Sequence, residues 1–410
     1  MFRKEENKID RRNFLKTAGI AGVGSVIAGA KALGADANEP NTAAAPAPTP
    51  VKIPTRKLGK TGANVPILAL GLGRPGEPVV LRQALDWGVY QWDVSLVAAN
   101  GNSETMVGEF IAKNPELRKD IFIVSKESKS KTPDDLEKCV QTSLKRLNTS
   151  YIDFYCGVYM MSDPAQLTDD VKKWAADAKK RGVIKFFGIS THENMAKCLS
   201  AAAKVDWIDA VQTTYNFRLA QDKEMQDAID ACHKAGVGII AMKTQGMRQA
   251  PGADADKKMI AHFLDKGFTE GQAKIKAVLE DQRISSVCSA MSSTSMLMAN
   301  IAAVLDKTKL AAEDMDALKQ YAQATCSGYC AGCSDICVQA ATGVPVSDIM
   351  RALMYHDSYG DKAQARQVFA EIPAGTRQRL LNVDYSAAES RCPNRMPIAK
   401  LVADAVTKLA

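Results

Sequence analysis

The chain has 410 residues, room for two or three domains of ordinary size, and its 46% hydrophobic and 24% charged residues are the balance of a soluble globular protein. That balance excludes a disordered tail and a multi-span membrane protein. The formal charge of +7 falls to +4 once the first 37 residues are set aside, and no basic run follows them, so the sequence carries no electrostatic footprint for nucleic acid.

Residues 10–16 read Asp-Arg-Arg-Asn-Phe-Leu-Lys, ahead of a weakly apolar stretch from Ala18 to Ala30 and small residues around Ala35 to Ala37. This resembles a twin-arginine export signal over residues 1–37, with Arg11 and Arg12 as the pair and cleavage near Ala37. As a membrane anchor the apolar stretch is too short, since a span takes about 20 residues. The resemblance implies handling by the twin-arginine translocase and a location in the periplasm or otherwise outside the cytoplasmic membrane. That route carries chains already folded, often with a cofactor inserted. Residues 38–54, rich in Ala, Pro and Thr, read as a flexible linker.

From residue 65 onward, short β-rich runs recur between longer amphipathic stretches. The predicted strands are Ile67 to Leu70, Val89 to Asp93, Ile121 to Ser125, Ile152 to Cys156, Phe186 to Ile189, Ala210 to Thr213, Gly238 to Met242 and Ser286 to Ser289. Helical spacing of apolar residues appears between them, in Leu136, Val140, Leu144 and Leu147 and again from Met225 to Ala235. The interval before the last strand is long enough for an extra segment. Eight β/α units in succession predict an α/β fold of the TIM-barrel type, (β/α)8, over residues 55–310. A rival is the dinucleotide fingerprint matched by Gly71-Leu-Gly73-Arg-Pro-Gly76, with Asp93 downstream. Pro75 and Pro78 interrupt the stretch where that fingerprint needs a helix N-terminus, which favours the barrel.

Several stretches, in order along the chain, resemble the aldo/keto reductases, in the branch with a ferredoxin-like extension. They are Arg56 to Gly62 with Val65 to Gly73, Ser143 to Tyr155, Gly182 to Ser190, Val211 to Asn216 and Gly236 to Lys243. The resemblance implies hydride transfer between a nicotinamide nucleotide and a carbonyl, with a tyrosine protonating the developing alkoxide. A lysine lowers the pKa of that tyrosine, an aspartate pairs with the lysine, and a histidine orients the substrate. Matched residue by residue, the aspartate is Asp93 and the lysine Lys126, whereas the tyrosine position holds Ala98 and the histidine position Val158. Neither replacement donates a proton. Tyr159 and His192, at strand ends nearby, are possible substitutes, and a purely structural ion pair is the alternative role for Asp93 and Lys126. For NAD(P)H the resemblance points to Ser190, Gln212 and Asn300. The segment from Val287 to Asn300 nevertheless contains no Arg or Lys to hold a 2′-phosphate.

Five of the ten cysteines, Cys326, Cys330, Cys333, Cys337 and Cys392, fall in the last 85 residues, and Cys392 is followed by Pro393. Three thiolates from a tight loop and one from a distant Cys-Pro are the ligand pattern of an iron–sulfur cluster. In a two-cluster ferredoxin the second loop's ligands fall ten, seven and four residues before the Cys-Pro, and here those positions are Asn382, Tyr385 and Ala388. One [4Fe-4S] cluster on Cys326, Cys330, Cys333 and Cys392 is the expected outcome, with Cys337 spare or exchanged for Cys326. Zinc, disulfides and a radical S-adenosylmethionine motif remain as rival readings of the same cysteines. Together these readings describe a barrel followed by a small helical ferredoxin-like iron–sulfur domain over residues 311–410. The first functional expectation is an oxidoreductase in which the cluster relays electrons to or from a small-molecule ligand in the barrel mouth. A non-catalytic electron-transfer or binding protein with a protein redox partner is second, and NAD(P)H-dependent carbonyl reduction is third.

Overall fold

The computed structural model describes residues 52–73, 76–97, 101–127, 132–248 and 253–410. The expected export signal, nearly all of the linker and Ala98 lie outside the described residues.

Strict alternation along the central strands produces the architecture. In β5 (Phe122–Lys126), Phe122 and Val124 point one way and Ile123 the other; in β6 (Ile152–Val158), Phe154 and Cys156 oppose Tyr155. The first set, with Ala210 and Ile240, forms an inner apolar cluster, while the second packs outward against helical residues such as Val140, Trp174 and Leu199. A strand buried on both faces must be covered by helices, and only a parallel arrangement gives each strand its crossover helix. The remaining barrel strands are β3 (Leu68–Gly71), β4 (Gln91–Asp93), β7 (Ile184–Thr191), β8 (Ala210–Thr214), β9 (Gly238–Met242) and β10 (Ser286–Ala290). They close in the order β10-β3-β4-β5-β6-β7-β8-β9, every pairing parallel. All eight predicted strands are present, with ends displaced by a few residues.

The helix predicted from Leu136 runs over Pro133–Arg146 and starts at a capping box made by Thr132 and Asp135. The one predicted from Met225 is Lys223–Lys234, capped by Asp222. The long interval before β10 holds two helices, Ala253–Asp265 and Glu270–Leu279. A hairpin of β1 (Thr55–Lys57) and β2 (Asn64–Pro66) sits at the N-terminal end of the barrel, burying Leu58 in the inner cluster. Its turn residue Gly59 has φ +54°, and a Cβ there would lie 2.3 Å from the Gly236 carbonyl oxygen, so only glycine fits.

The C-terminal region is helical: Ala312–Ala324, Ser334–Ala340, Val346–Leu353, a π-helical turn Met354–Ser358, Lys362–Ala370, Ala374–Arg379, Ser386–Arg391 and Ile398–Leu409. It has its own apolar core of Val344, Ile349, Leu353, Phe369, Leu380 and Val402. Tyr385 and Ala388, at two of the positions where the two-cluster pattern would need cysteines, are part of that core, and the Tyr385 hydroxyl donates to the Leu380 carbonyl at 2.9 Å. Apolar packing thus occupies those positions. Barrel and C-terminal helices form one compact unit, Pro50–Ala410.

Candidate active site at the barrel mouth

Parallel strands put all their C-terminal ends on one rim, where barrel chemistry sits. Asp93 ends β4 and Lys126 ends β5, and the register pairs Asp93 with Val124. Lys126 Nζ donates to both carboxylate oxygens of Asp93 at 2.8 and 2.7 Å and to the Val94 carbonyl at 3.1 Å. Burial would push the Lys126 ammonium down, but the Asp93 carboxylate outweighs it and holds the pKa above its ordinary value. Gln212 closes the group, its side-chain amide donating to Asp93 Oδ2 at 2.7 Å. Lys126 therefore remains a cation whose charge is already answered.

Val158 lines a cavity of about 480 Å³ together with Tyr159, Glu127, Glu193 and Asp348. Burial raises the Tyr159 phenol pKa, which makes its proton harder to release. His192, after the end of β7, accepts from or donates to Thr214 Oγ1 through Nδ1 at 2.9 Å. Burial first, and then the charges of Lys243, Arg351 and Lys126, hold its imidazole well below the ordinary value, so it is neutral at pH 7. Both proposed substitutes thus stand at the mouth, but neither is poised as a strong acid.

The C-terminal helices lie across the β7 to β9 side of the rim. Gly332 has φ +77°, and a Cβ there would lie 2.4 Å from the His192 carbonyl oxygen, so glycine alone allows the cysteine loop to approach this closely. Asn194 clasps that loop: its N–H donates to the Gly332 carbonyl at 2.7 Å and its amide to Ser334 Oγ at 3.0 Å and Asp335 Oδ1 at 2.8 Å. Arg351 pairs with Glu193 at 3.3 Å, Asn216 donates to the Tyr329 hydroxyl at 3.0 Å, and Lys243 donates to the Tyr355 hydroxyl at 3.1 Å. A cavity of about 50 Å³ remains between the two regions, lined by His192, Thr214, Lys243, Ala331, Arg351 and Met354 among others. Sequence reasoning did not single out Arg351 or Tyr355, which lie far from the barrel motifs in the chain. The position of Lys243 just beyond a barrel strand was the available signal.

Behind this cavity lies a second one, lined by Cys330, Cys333, Cys337 and Cys392 with Pro393 and Met396. Cys326 is not among its lining residues, whereas Cys337, the spare or alternative of the expected set, is. The reason is local. Cys326 opens the 3-10 turn Cys326–Gly328 at the end of a long helix, whereas Cys337 is on the buried face of Ser334–Ala340. Burial pushes the Cys337 thiol up to about 12 and raises Cys330 as well, so thiolates here require a compensating cation. All ten cysteines are free of disulfides. Among the described residues, no group of three or more His, Cys, Asp or Glu is arranged to hold a single metal ion. The two cavities share a wall of Cys330, Ala331 and Ser347, and Ser347 Oγ is buried without a hydrogen-bond partner.

The residues expected to hold a nicotinamide nucleotide are engaged internally. Ser190 Oγ accepts from the Met160 N–H at 3.2 Å, Gln212 holds Asp93, and the Asn300 amide donates to Ser289 Oγ at 3.0 Å. The family model of the aldo/keto reductase family matches residues 77–260. Among curated proteins, the chain is similar to aldo-keto reductase yakc of Schizosaccharomyces pombe, whose name specifies NADP+. Identity is 28% over 228 residues, covering 50% of this chain and 64% of that protein, less than two thirds of its length. It is also similar to L-galactose dehydrogenase of Arabidopsis thaliana, 25% identical over 289 residues, covering 63% of this chain and 90% of the other. Among solved structures, the thermostable aldo-keto reductase Tm1743 superposes with a TM-score of 0.55 at 23% identity, covering 66% of this chain and 100% of that one. Aldo-keto reductase AKR11C1 of Bacillus halodurans gives 0.54 at 20%, covering 66% and 97%. The family match covers less than half of the chain, and the likeness to the solved structures shows the eight-stranded parallel barrel fold.

Proposed function

We propose that the chain is an iron–sulfur oxidoreductase, exported by the twin-arginine route, whose ligand binds in the barrel mouth. Cys330, Cys333, Cys337 and Cys392 would hold one [4Fe-4S] cluster, in a C-terminal domain of ferredoxin-like ancestry. The observation that carries the reading is the shared wall: the four-cysteine cavity and the mouth cavity meet at Cys330, Ala331 and Ser347. Two features support the fit. Burial raises the Cys330 and Cys337 thiols, which a bound cationic group would offset, and the buried Ser347 hydroxyl, which makes no hydrogen bond among the described residues, is a donor of the kind that hydrogen-bonds cluster or cysteine sulfur. A lone ion would draw its thiolates to one point, whereas a cluster holds them apart. A bound cluster supplies single-electron transfer. Within that frame the chain's own residues bind and orient the ligand, exclude water and move protons at the rim.

A second reading, a non-catalytic electron-transfer or binding protein, is favoured by the closed Asp93–Lys126–Gln212 group, which leaves Lys126 occupied. The two separate on titration of anaerobically purified protein with NADPH and NADH, following iron and sulfide content, nucleotide binding and bleaching of the visible absorbance. Binding with bleaching is the expected result. Protein with iron but no response at millimolar nucleotide supports the second reading, and iron-free protein with four reactive thiols removes the cluster altogether.

A further inference from the structure

A buried charge persists where something answers it, and the junction of barrel and C-terminal helices holds a cation whose answer is incomplete. Lys243 follows β9 with φ +56°, a left-handed conformation unfavourable for a lysine. Its carbonyl is pinned by the Asn216 amide at 3.2 Å and the Gly246 N–H at 3.0 Å. An ammonium has three donors, and one goes to Tyr355 Oη at 3.1 Å. The ring centroids of Tyr355 and Tyr359 lie 4.4 and 5.0 Å from Nζ. Tyr355 belongs to the π-helical turn Met354–Ser358, an irregularity that re-aims side chains. Among the described residues Nζ makes no other hydrogen bond and no ion pair.

Lys243 lines the cavity of about 50 Å³ between the two regions. Beside it stand Thr214 and His192, joined through Nδ1 at 2.9 Å, and Nε2 of that ring makes no hydrogen bond among the described residues. When Thr214 donates to Nδ1, the neutral ring carries its proton on Nε2, as a further donor. Arg351 and Glu193 also line the cavity, but they answer each other at 3.3 Å, and Arg351 holds Asp348 at 2.5 Å as well. Met247, Ala331 and Met354 supply apolar wall. A buried water takes about 10–15 Å³ of such space, so this cavity admits about three or four heavy atoms. Formate and acetate are of that size, whereas sulfate and phosphate exceed it.

We propose that this cavity binds a small monocarboxylate, its carboxylate paired with the Lys243 ammonium and its remaining atoms against the apolar wall. The proposal names the class of ligand at the barrel mouth and so rests on the reading of that mouth as a ligand site. Charge selects in the same direction as volume: one uncommitted cation close to Glu193 suits a monoanion and opposes a dianion. Burial, and then Asp348, push the Glu193 carboxyl above its ordinary value, with Arg351 opposing, which weakens its repulsion of an anion. The rival counter-charge is Tyr355 itself. Burial raises its phenol, but Lys243 and then Arg351 outweigh burial and lower the pKa below its ordinary value. A phenolate there would take the carboxylate's place.

The test is calorimetric titration of the full-length, anaerobically purified protein with sodium formate and sodium acetate at pH 7, with sulfate as the larger anion. Formate should bind saturably with a Kd of about 1 mM, near the ceiling for three heavy atoms. Lys243→Gln should weaken it by about 10- to 100-fold, and Lys243→Arg should restore most of the loss. Sulfate should neither bind nor compete. Formate should also raise the Tm of the parent and not that of Lys243→Gln, a readout that requires both proteins to be folded. Absence of saturable formate or acetate binding at about 100 times the expected Kd overturns the proposal, as does equal affinity in Lys243→Gln or competition by sulfate. A tyrosinate band at pH 7 that vanishes in Tyr355→Phe overturns it too, because the counter-ion is then already in place. Iron and sulfide content of the same samples separates the two readings: iron-free protein that binds formate removes the cluster and keeps this site, and iron-loaded protein that does not bind it does the reverse.

Discussion

Two lysines stand at the mouth of this barrel in opposite circumstances. Lys126, on the β4–β5 side, is buried against a carboxylate, a backbone carbonyl and, through Asp93, the Gln212 amide. Lys243, on the β9 side, faces the hydroxyl and ring of Tyr355 and the ring of Tyr359, and makes no ion pair among the described residues. The first arrangement is self-sufficient, since every charge has its counter-charge. The second leaves a cation answered, among the described residues, by a hydroxyl and two ring faces. The difference sets the β9 side, where the two regions of the chain meet, apart from the closed β4–β5 side.

The largest test of that comparison removes what lies behind the β9 side. Cys392→Ala should abolish iron incorporation and lower Tm, because it empties one corner of the four-cysteine cavity and part of the C-terminal core. Cys326→Ala should leave iron per chain unchanged. Equal loss in both would return Cys326 to the ligand set. Next in size is Asp93→Asn, which leaves the Lys126 ammonium buried without its counter-charge. Urea unfolding should show a loss of about 3–5 kcal/mol, the range for breaking a buried pair from one side. The corresponding change on the other side, Lys243→Met, should change stability by only about 1 kcal/mol, since it removes one hydrogen bond and relieves an uncompensated burial. Comparable losses from both would erase the contrast.

The smallest effect lies away from the mouth and serves as its control. Hydrogen bonding from Arg181, supplemented by Gln141 and Trp174, holds the Glu137 carboxyl down at about 2 against an ordinary 4.5. Its folded-state pKa is depressed, so its stabilising contribution is present above the ordinary value and is lost as pH falls through the window from 4.5 toward 2. Solvent access at this site keeps the contribution below about 1 kcal/mol. Glu137→Gln should flatten the acid limb of a Tm-versus-pH curve slightly and leave turnover untouched.

The barrel was legible because its signals are local. Runs such as Phe154 to Cys156 and Gly238 to Met242 are apolar on both faces, and a strand so composed has few other places to go. Asp93 and Lys126 were legible for a related reason: each ends its own strand, and adjacent strands in register bring them together. The choice between Cys326 and Cys337 was not, because it depends on which face of a short helix packs inward, and both satisfy a spacing rule. Tyr355 was invisible to pattern because its meaning comes from Lys243, more than a hundred residues earlier in the chain, and from an irregular turn that no periodicity announces. Ala98 and the amino-terminal segment, read as motifs in the sequence, lie outside the described residues.

The position of the C-terminal helices over the rim has a consequence for how the molecule is made. Residues Asn194, Asn216, Arg218 and Lys243 are synthesised long before Asp335, Tyr329, Thr325 and Tyr355, the groups that answer them. A barrel emerging from the ribosome therefore exposes polar groups at its mouth until the last hundred or so residues arrive and dock, a closure of high sequence separation that comes late in folding. Assembly of the cavity around the four cysteines and completion of the mouth are then one event, so a chain that fails to seat its final helices loses both sites together.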